Sequence, residues 1–235
     1  MILSFTPRKG EVPMRQLVYK DLFFFRGIWF VYFIIPFIFF LFEPGEGMLF
    51  PMSCLFITLS SVIILIIIDE RNTSDIMINS LPLSRKDIII ARYISCAIFI
   101  VGGMISTMLV VFLIRCIAVI GDIGAYYPKL YIEISWYEVI NGIVYAVFWM
   151  VTFFPMYYVT KSKAVISIIA AASIIVSGIL WIFISDGLNE TTPPFLEWIL
   201  NPLHIGVFIV GFIALVSIYI ASMFLTIKIY GARDL

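Results

Sequence analysis

From residue 22 onward the chain is a succession of long apolar runs broken by short polar punctuation. A helix rises ~1.5 Å per residue, so the ~30 Å hydrocarbon core of a bilayer takes ~20 apolar residues. Six runs meet that length: Leu22–Phe42, Met48–Ile68, Ile88–Ile120, Trp136–Val159, Ala164–Ile184 and Leu203–Ile227. The third exceeds what a bilayer requires, so part of it projects beyond the membrane or tilts. Between the first two, Glu43-Pro44-Gly45-Glu46-Gly47 makes a tight acidic turn. The first run is too long for the core of a cleavable signal peptide, and no small-x-small cleavage pattern follows it. The expected fold is all-α and integral to the membrane, with six transmembrane helices in a single domain over residues 1–235.

Two shorter patterns stand out against these runs. In Met14–Phe25 the polar Arg15, Gln16, Lys20 and Asp21 interleave with Leu17, Val18, Leu22 and Phe25. Such a helix either lies in the membrane interface or extends the first span. After the second span, Asn72 can cap a short helix, with Asp75 three residues later favouring its positive end. Pro82 disfavours helix at Leu81 and stops it there. Ser84 then caps the third span, with Asp87 as its partner in a shortened capping box. The product is a helix of one to two turns presenting Ile76, Met77 and Leu81 amid charges. It reads either as a solvated connector or as a docking element, and two caps with a proline stop are more than a connector needs.

Composition agrees with the pattern. Of 235 residues, 63% are apolar and 13% charged, with mean hydropathy +1.11. A soluble domain carries about 25% charged residues, so this chain has too little polar surface to face water on all sides. Its formal net charge of zero argues against a nucleic-acid partner. The placement of charge is more informative. All but Arg115 and Lys129 of the 15 Lys and Arg residues fall at the amino terminus, after spans two and four, or in the tail. Basic residues are retained on the cytoplasmic side, so both termini are expected in the cytoplasm. Trp29, Trp136, Tyr157, Tyr158, Trp181 and Trp198 flank the spans as interfacial anchors would. The segments Gly121–Ser135 and Ser185–Pro202 on the opposite side are short, which leaves no extramembrane domain.

Candidate chemistry is sparse. In the fourth span Tyr145, Trp149, Phe153 and Tyr157 recur every four residues, following Asn141 in the same register. They serve either as packing against neighbouring spans or as the lining of a lateral cavity for an amphipathic cargo. Arg115, near the outer end of span three, either snorkels to headgroups or contacts substrate. Small residues cluster in span three (Gly102, Gly103, Ser106, Thr107) and span five (Ala170, Ala171, Ala172, Ser173), which allows close helix approach within one subunit or between two. Cys54, Cys96 and Cys116 lie in apolar stretches without a CxxC, and His204 stands alone, so neither disulfides nor a metal site is expected. Thr192–Pro202 reads as a short helix on the outer side bounded by prolines. No phosphate-binding loop, HExxH or GxSxG occurs, so the chain binds no ATP by that motif and is not expected to be an enzyme by itself. An ion-coupled carrier needs polar groups at mid-membrane and an inverted repeat; the sequence offers neither.

One set of residues carries a likeness. Leu17-x-x-Lys20-Asp21-Leu22 precedes span one, Asp69-Glu70-Arg71-Asn72 follows span two, and Ser80-Leu81-Pro82-Leu83-Ser84-Arg85-Lys86-Asp87-Ile88 with Ala91-Arg92-Tyr93 enters span three. On these the chain resembles a type-2 ABC transporter permease, in the small six-span branch that includes the staphylococcal phenol-soluble modulin exporter permeases. The span layout agrees, while spans four to six match in character only. The resemblance implies a half-complex: two permease copies or paralogues, each held by a cytoplasmic ATPase that binds the ATP and Mg. It implies a bacterial plasma-membrane location and an amphipathic peptide cargo. It makes Asn72–Leu81 the coupling helix, with Asp69, Glu70, Arg71, Asn72, Asp75, Ile76, Met77, Leu81 and Arg85 as ATPase-coupling residues. The competing function is a non-transporting membrane anchor or sensor that assembles with partners.

Overall fold

The structure is a computed structural model that describes residues 14–25, 29–42, 49–71, 84–121, 134, 136–160, 168, 171–172, 175–176 and 205–232. Its elements there are helices: α1 (Met14–Phe25), α2 (Val31–Phe42), α3 (Leu49–Arg71), α4 (Arg85–Ile120), α5 (Trp136–Thr160) and α6 (Ile205–Gly231). Among the described residues, α3, α4, α5 and α6 are the four helices long and apolar enough to cross a membrane. They match the second, third, fourth and sixth expected spans to within a few residues. The first expected span, Leu22–Phe42, is divided: Leu22 belongs to α1, Trp29 and Phe30 form a turn, and α2 supplies only 12 apolar residues, about 18 Å of rise. Of the fifth, Ala164–Ile184, only Ile168, Ala171, Ala172, Ile175 and Val176 are described, all helical. The expected turn at Glu43–Gly47, the outer segment Thr192–Pro202 and His204 lie outside the described residues.

The chain divides into two compact units, Met1–Ile134 and Ser135–Leu235. In the first, α3 packs against α2 and α4, and α1 lies chiefly on α4. Adjacent glycines on α4 permit this. A Cβ added at Gly102 would come within 3.2 Å of the Tyr32 ring on α2, and one at Gly103 within 3.2 Å of Ile57 Cγ2 on α3. Successive helix positions point ~100° apart, so each glycine admits a different neighbour. The small cluster of span three therefore packs within the chain. Leu at position 103 overfills this contact and is expected to lower stability by about 1–3 kcal/mol. Gly211→Ala on α6, where nothing lies within 4 Å, gains helix propensity instead. Melting of the two variants in detergent checks the contrast, and equal melting points would refute the packing.

Each unit also holds a proline inside a helix, and each repairs it in the same way. Pro36 in α2 has no N–H to give the carbonyl four residues behind it, Tyr32. The Ser106 hydroxyl on α4 donates to that carbonyl at 2.5 Å. The Tyr32 phenol in turn meets Ser61 Oγ on α3 at 3.1 Å. In the second unit Pro155 of α5 leaves the Val151 carbonyl in the same position, and Ser222 of α6 donates to it at 2.9 Å. In hydrocarbon no water can take this role, so the neighbouring helix must.

The second unit is built on α5 and α6. Ser222, Thr226 and Tyr230, four residues apart and so on one face of α6, are its buried side chains among the described residues. Tyr230 meets Tyr158 edge-on at 5.3 Å. The other faces of α6 present Ile209, Phe212, Ile213 and Phe224 outward, as a helix bathed in lipid would.

Candidate functional site

Four ionisable side chains of the described helices gather where α1, the end of α3 and the start of α4 meet. Lys20 and Asp21 come from α1, Asp69 from the last turn of α3, Arg92 and Ser95 from α4. Lys20 Nζ donates to Asp69 Oδ1 at 3.0 Å and lies 3.8 Å from Asp21 Oδ1. Arg92 forks between the two carboxylates, Nη1 reaching Asp21 Oδ1 at 3.3 Å and Nη2 pairing with Asp69 Oδ2. Ser95 Oγ donates to Asp21 Oδ2 at 3.0 Å, and its helix carbonyl partner, Ala91, is equally near. The side chains of Asp21 and Asp69 are 4% and 7% exposed. Two carboxylates at that depth demand two cations. Lys20 and Arg92 supply them, and the group is neutral as a whole.

The cluster reverses the simple amphipathic reading of α1. Leu17 faces inward against Ile88 and Ala91, and Asp21 is buried beside it. Tyr19 and Phe23, their rings stacked at 6.4 Å, face outward. The charged side of α1 is therefore turned into the protein because its partners are there, and the aromatic side is left for the surroundings.

Residues 72–83, which carry Asn72, Asp75, Ile76, Met77 and Leu81 of the expected coupling helix, lie outside the described residues. Their two flanks are described. α3 ends at Arg71, one residue after Glu70, with Asp69 in the cluster. α4 restarts at Arg85, a half-buried side chain with a partner of its own. Ser84 caps it from an extended conformation (φ −73°, ψ 141°). The Asp87 N–H donates to Ser84 Oγ at 3.2 Å, and the Ser84 hydroxyl donates to Asp87 Oδ2 at 2.6 Å. An aspartate, one methylene shorter than the usual glutamate, takes the hydroxyl itself. The cluster and this cap thus fix the two helix ends that flank residues 72–83.

Of the other candidates, Tyr145, Trp149 and Phe153 are all buried on α5 in the second unit. Trp149 stacks on Phe153 with centroids 4.4 Å apart, and Phe153 on Tyr157 at 6.0 Å. The Trp149 Nε1 and Asn141 Nδ2 atoms are buried without a hydrogen-bond acceptor. Arg115 is exposed near the carboxyl-terminal end of α4, in the first unit. Among the described residues no group of three His, Cys, Asp or Glu comes together as a metal ion would require.

Long apolar helices, three of them joined by one buried charge cluster, define an all-helical, multi-pass membrane protein. A family model described as ABC-2 family transporter protein matches residues 16–231, and the chain belongs to that family. It is an ABC transporter permease, a membrane component whose family implies an ATPase partner. No curated protein and no solved structure matches the chain.

Proposed function

We propose that this permease is the membrane half of an ATP-driven exporter, coupled to its ATPase through the segment 72–83. The observation that carries this reading is the buried charge cluster at the roots of that segment. A force applied between Asp69 and Ser84 is transmitted at once to α1, α3 and α4, because Arg92 and Lys20 tie all three together. A loosely tethered connector would dissipate it.

In this reading α1 rests in the cytoplasmic interface on Tyr19 and Phe23. Both termini are cytoplasmic, six spans cross a bacterial plasma membrane, and residues 72–81 form the coupling helix. ATP and Mg are held by the ATPase. A second copy or a paralogue completes the pathway, as the resemblance to the staphylococcal peptide exporter permeases implies, with an amphipathic peptide as cargo. The aromatic register of α5 supports a cargo-facing role for Tyr145, Trp149 and Phe153, since the Asn141 and Trp149 nitrogens are donors still lacking acceptors. Arg115 is a contact to outer headgroups or to departing cargo.

Ile76 and Met77 are the anchors expected to seat in the ATPase, by burial of apolar side chains in a groove. The double variant I76D/M77D should insert in the membrane normally yet lose at least 10-fold in ATPase affinity, since ~1.4 kcal/mol is a factor of ten. Co-purification with the ATPase reads the binding, and ATP-dependent uptake of a fluorescent amphipathic helical peptide into inverted vesicles reads transport. Full binding and uptake by the variant would sink the docking assignment. ATPase binding without ATP-dependent movement of any peptide would favour a membrane anchor or sensor.

A further inference from the structure

Buried hydroxyls in these helices have a default habit. Thr58, Ser61, Thr107 and Thr226 each donate to the carbonyl four residues behind on their own helix, at 2.8, 2.7, 2.9 and 2.9 Å. Ser106 and Ser222 donate to another helix instead, each to the carbonyl that a proline on that helix leaves without its N–H. Both serines are buried, so the hydroxyl has no water to turn to. Both also retain the default acceptor: the carbonyl of Gly102 for Ser106, that of Ile218 for Ser222. A rotation about χ1 would carry each donor from the proline-freed carbonyl to that acceptor on its own helix. Serine lacks the branching methyl that stiffens threonine at χ1, and serine stands at both places.

We infer that Ser106 and Ser222 are exchangeable latches on two proline hinges. In the latched state the hydroxyl holds the freed carbonyl of Tyr32 or Val151 and keeps α2 or α5 aligned with its neighbour. In the released state it returns to its own helix, and α2 bends at Pro36 or α5 at Pro155, where the helix lacks one backbone hydrogen bond. On α5 the portion beyond the hinge, Met156–Thr160, is then retained by the Tyr158–Tyr230 edge contact, which tolerates a change of angle. Neither carbonyl is legible as a site in the sequence, yet the same proline-to-serine arrangement occurs in both units. Its use during transport rests on the permease reading; the latch itself does not.

The test combines melting with distances. In detergent S222A should melt about 2–4 °C lower than the parent, as the loss of one net hydrogen bond predicts for a chain of this size. In a P155A background, where residue 155 supplies its own N–H, S222A should cost nothing further. Equal losses in both backgrounds overturn the pairing. For motion, spin labels go at V159C and K228C, both exposed positions at matching ends of α5 and α6, in a chain with Cys54, Cys96 and Cys116 replaced by Ala. The resting distance distribution should broaden in S222A and narrow in P155A. Identical distributions in the two variants overturn the latch. With the ATPase bound, ATP and vanadate should shift the parent toward the S222A distribution and leave P155A unmoved. Should the variants differ at rest while ATP and vanadate move none of them, the latch stands and the exporter reading fails.

Discussion

Replacing Arg92 by Met is expected to be the most damaging single substitution in the described part of the chain. It leaves Asp21 and Asp69 buried with Lys20 as their remaining counter-charge among the described residues, and Lys20 is itself 30% exposed. Removing one partner from a buried ion pair costs about 3–5 kcal/mol, because a desolvated charge is left uncompensated. That is a large share of the ~5–15 kcal/mol by which proteins are stable, and melting should fall by on the order of 10 °C. Arg92→Lys should sit between, since a single ammonium cannot fork to two carboxylates as the guanidinium does. The combination Asp21→Asn, Asp69→Leu, Arg92→Met should recover at least half of the loss, as an apolar or neutral site has nothing to desolvate. Arg92→Met melting with the parent would mean that the cluster holds nothing together.

Trp149→Ala is expected to rank second. The indole is 1% exposed and stacked on Phe153, and truncating such a side chain costs about 3–5 kcal/mol through lost contacts and the cavity left behind. Trp149→Phe should behave differently. It keeps most of the stacking surface and removes an N–H that is buried without an acceptor, a group whose isolation costs about 1–3 kcal/mol. The phenylalanine variant should therefore melt near the parent. If its peptide uptake nonetheless falls, the indole N–H acts on cargo; if stability and uptake are both retained, Trp149 serves packing alone. A parent-like melting point for Trp149→Ala would exclude the buried stack.

The long helices were readable from the chain because a run of 20 or more apolar residues leaves few other solutions. α3 through α6 lie where such runs do, and α1 has the same bounds as the amphipathic stretch Met14–Phe25. The break between α1 and α2 was missed, since Phe23–Phe25 and Ile28–Phe30 continue the apolar run on both sides of Arg26 and Gly27. The charge cluster was visible only as separate pieces. Lys20, Asp21, Asp69 and Arg92 each appear in a local motif, but the pairs that join the three helices are 23 to 71 positions apart, and no local period records them. The prolines of α2 and α5 announce two breaks in the helical hydrogen bonding; which serine mends each depends on how the helices pack.

The length of α4 has a consequence of its own. Its 36 residues make a rod of about 54 Å, nearly twice the thickness of a bilayer core. It begins at the capped end next to the 72–83 segment and carries Arg92, Gly102, Gly103 and Ser106 along its length. Pivoted at Ser84, a tilt of about 5° would sweep its far end by about 5 Å, so a small push at one membrane surface is magnified into a displacement as wide as a side chain at the other.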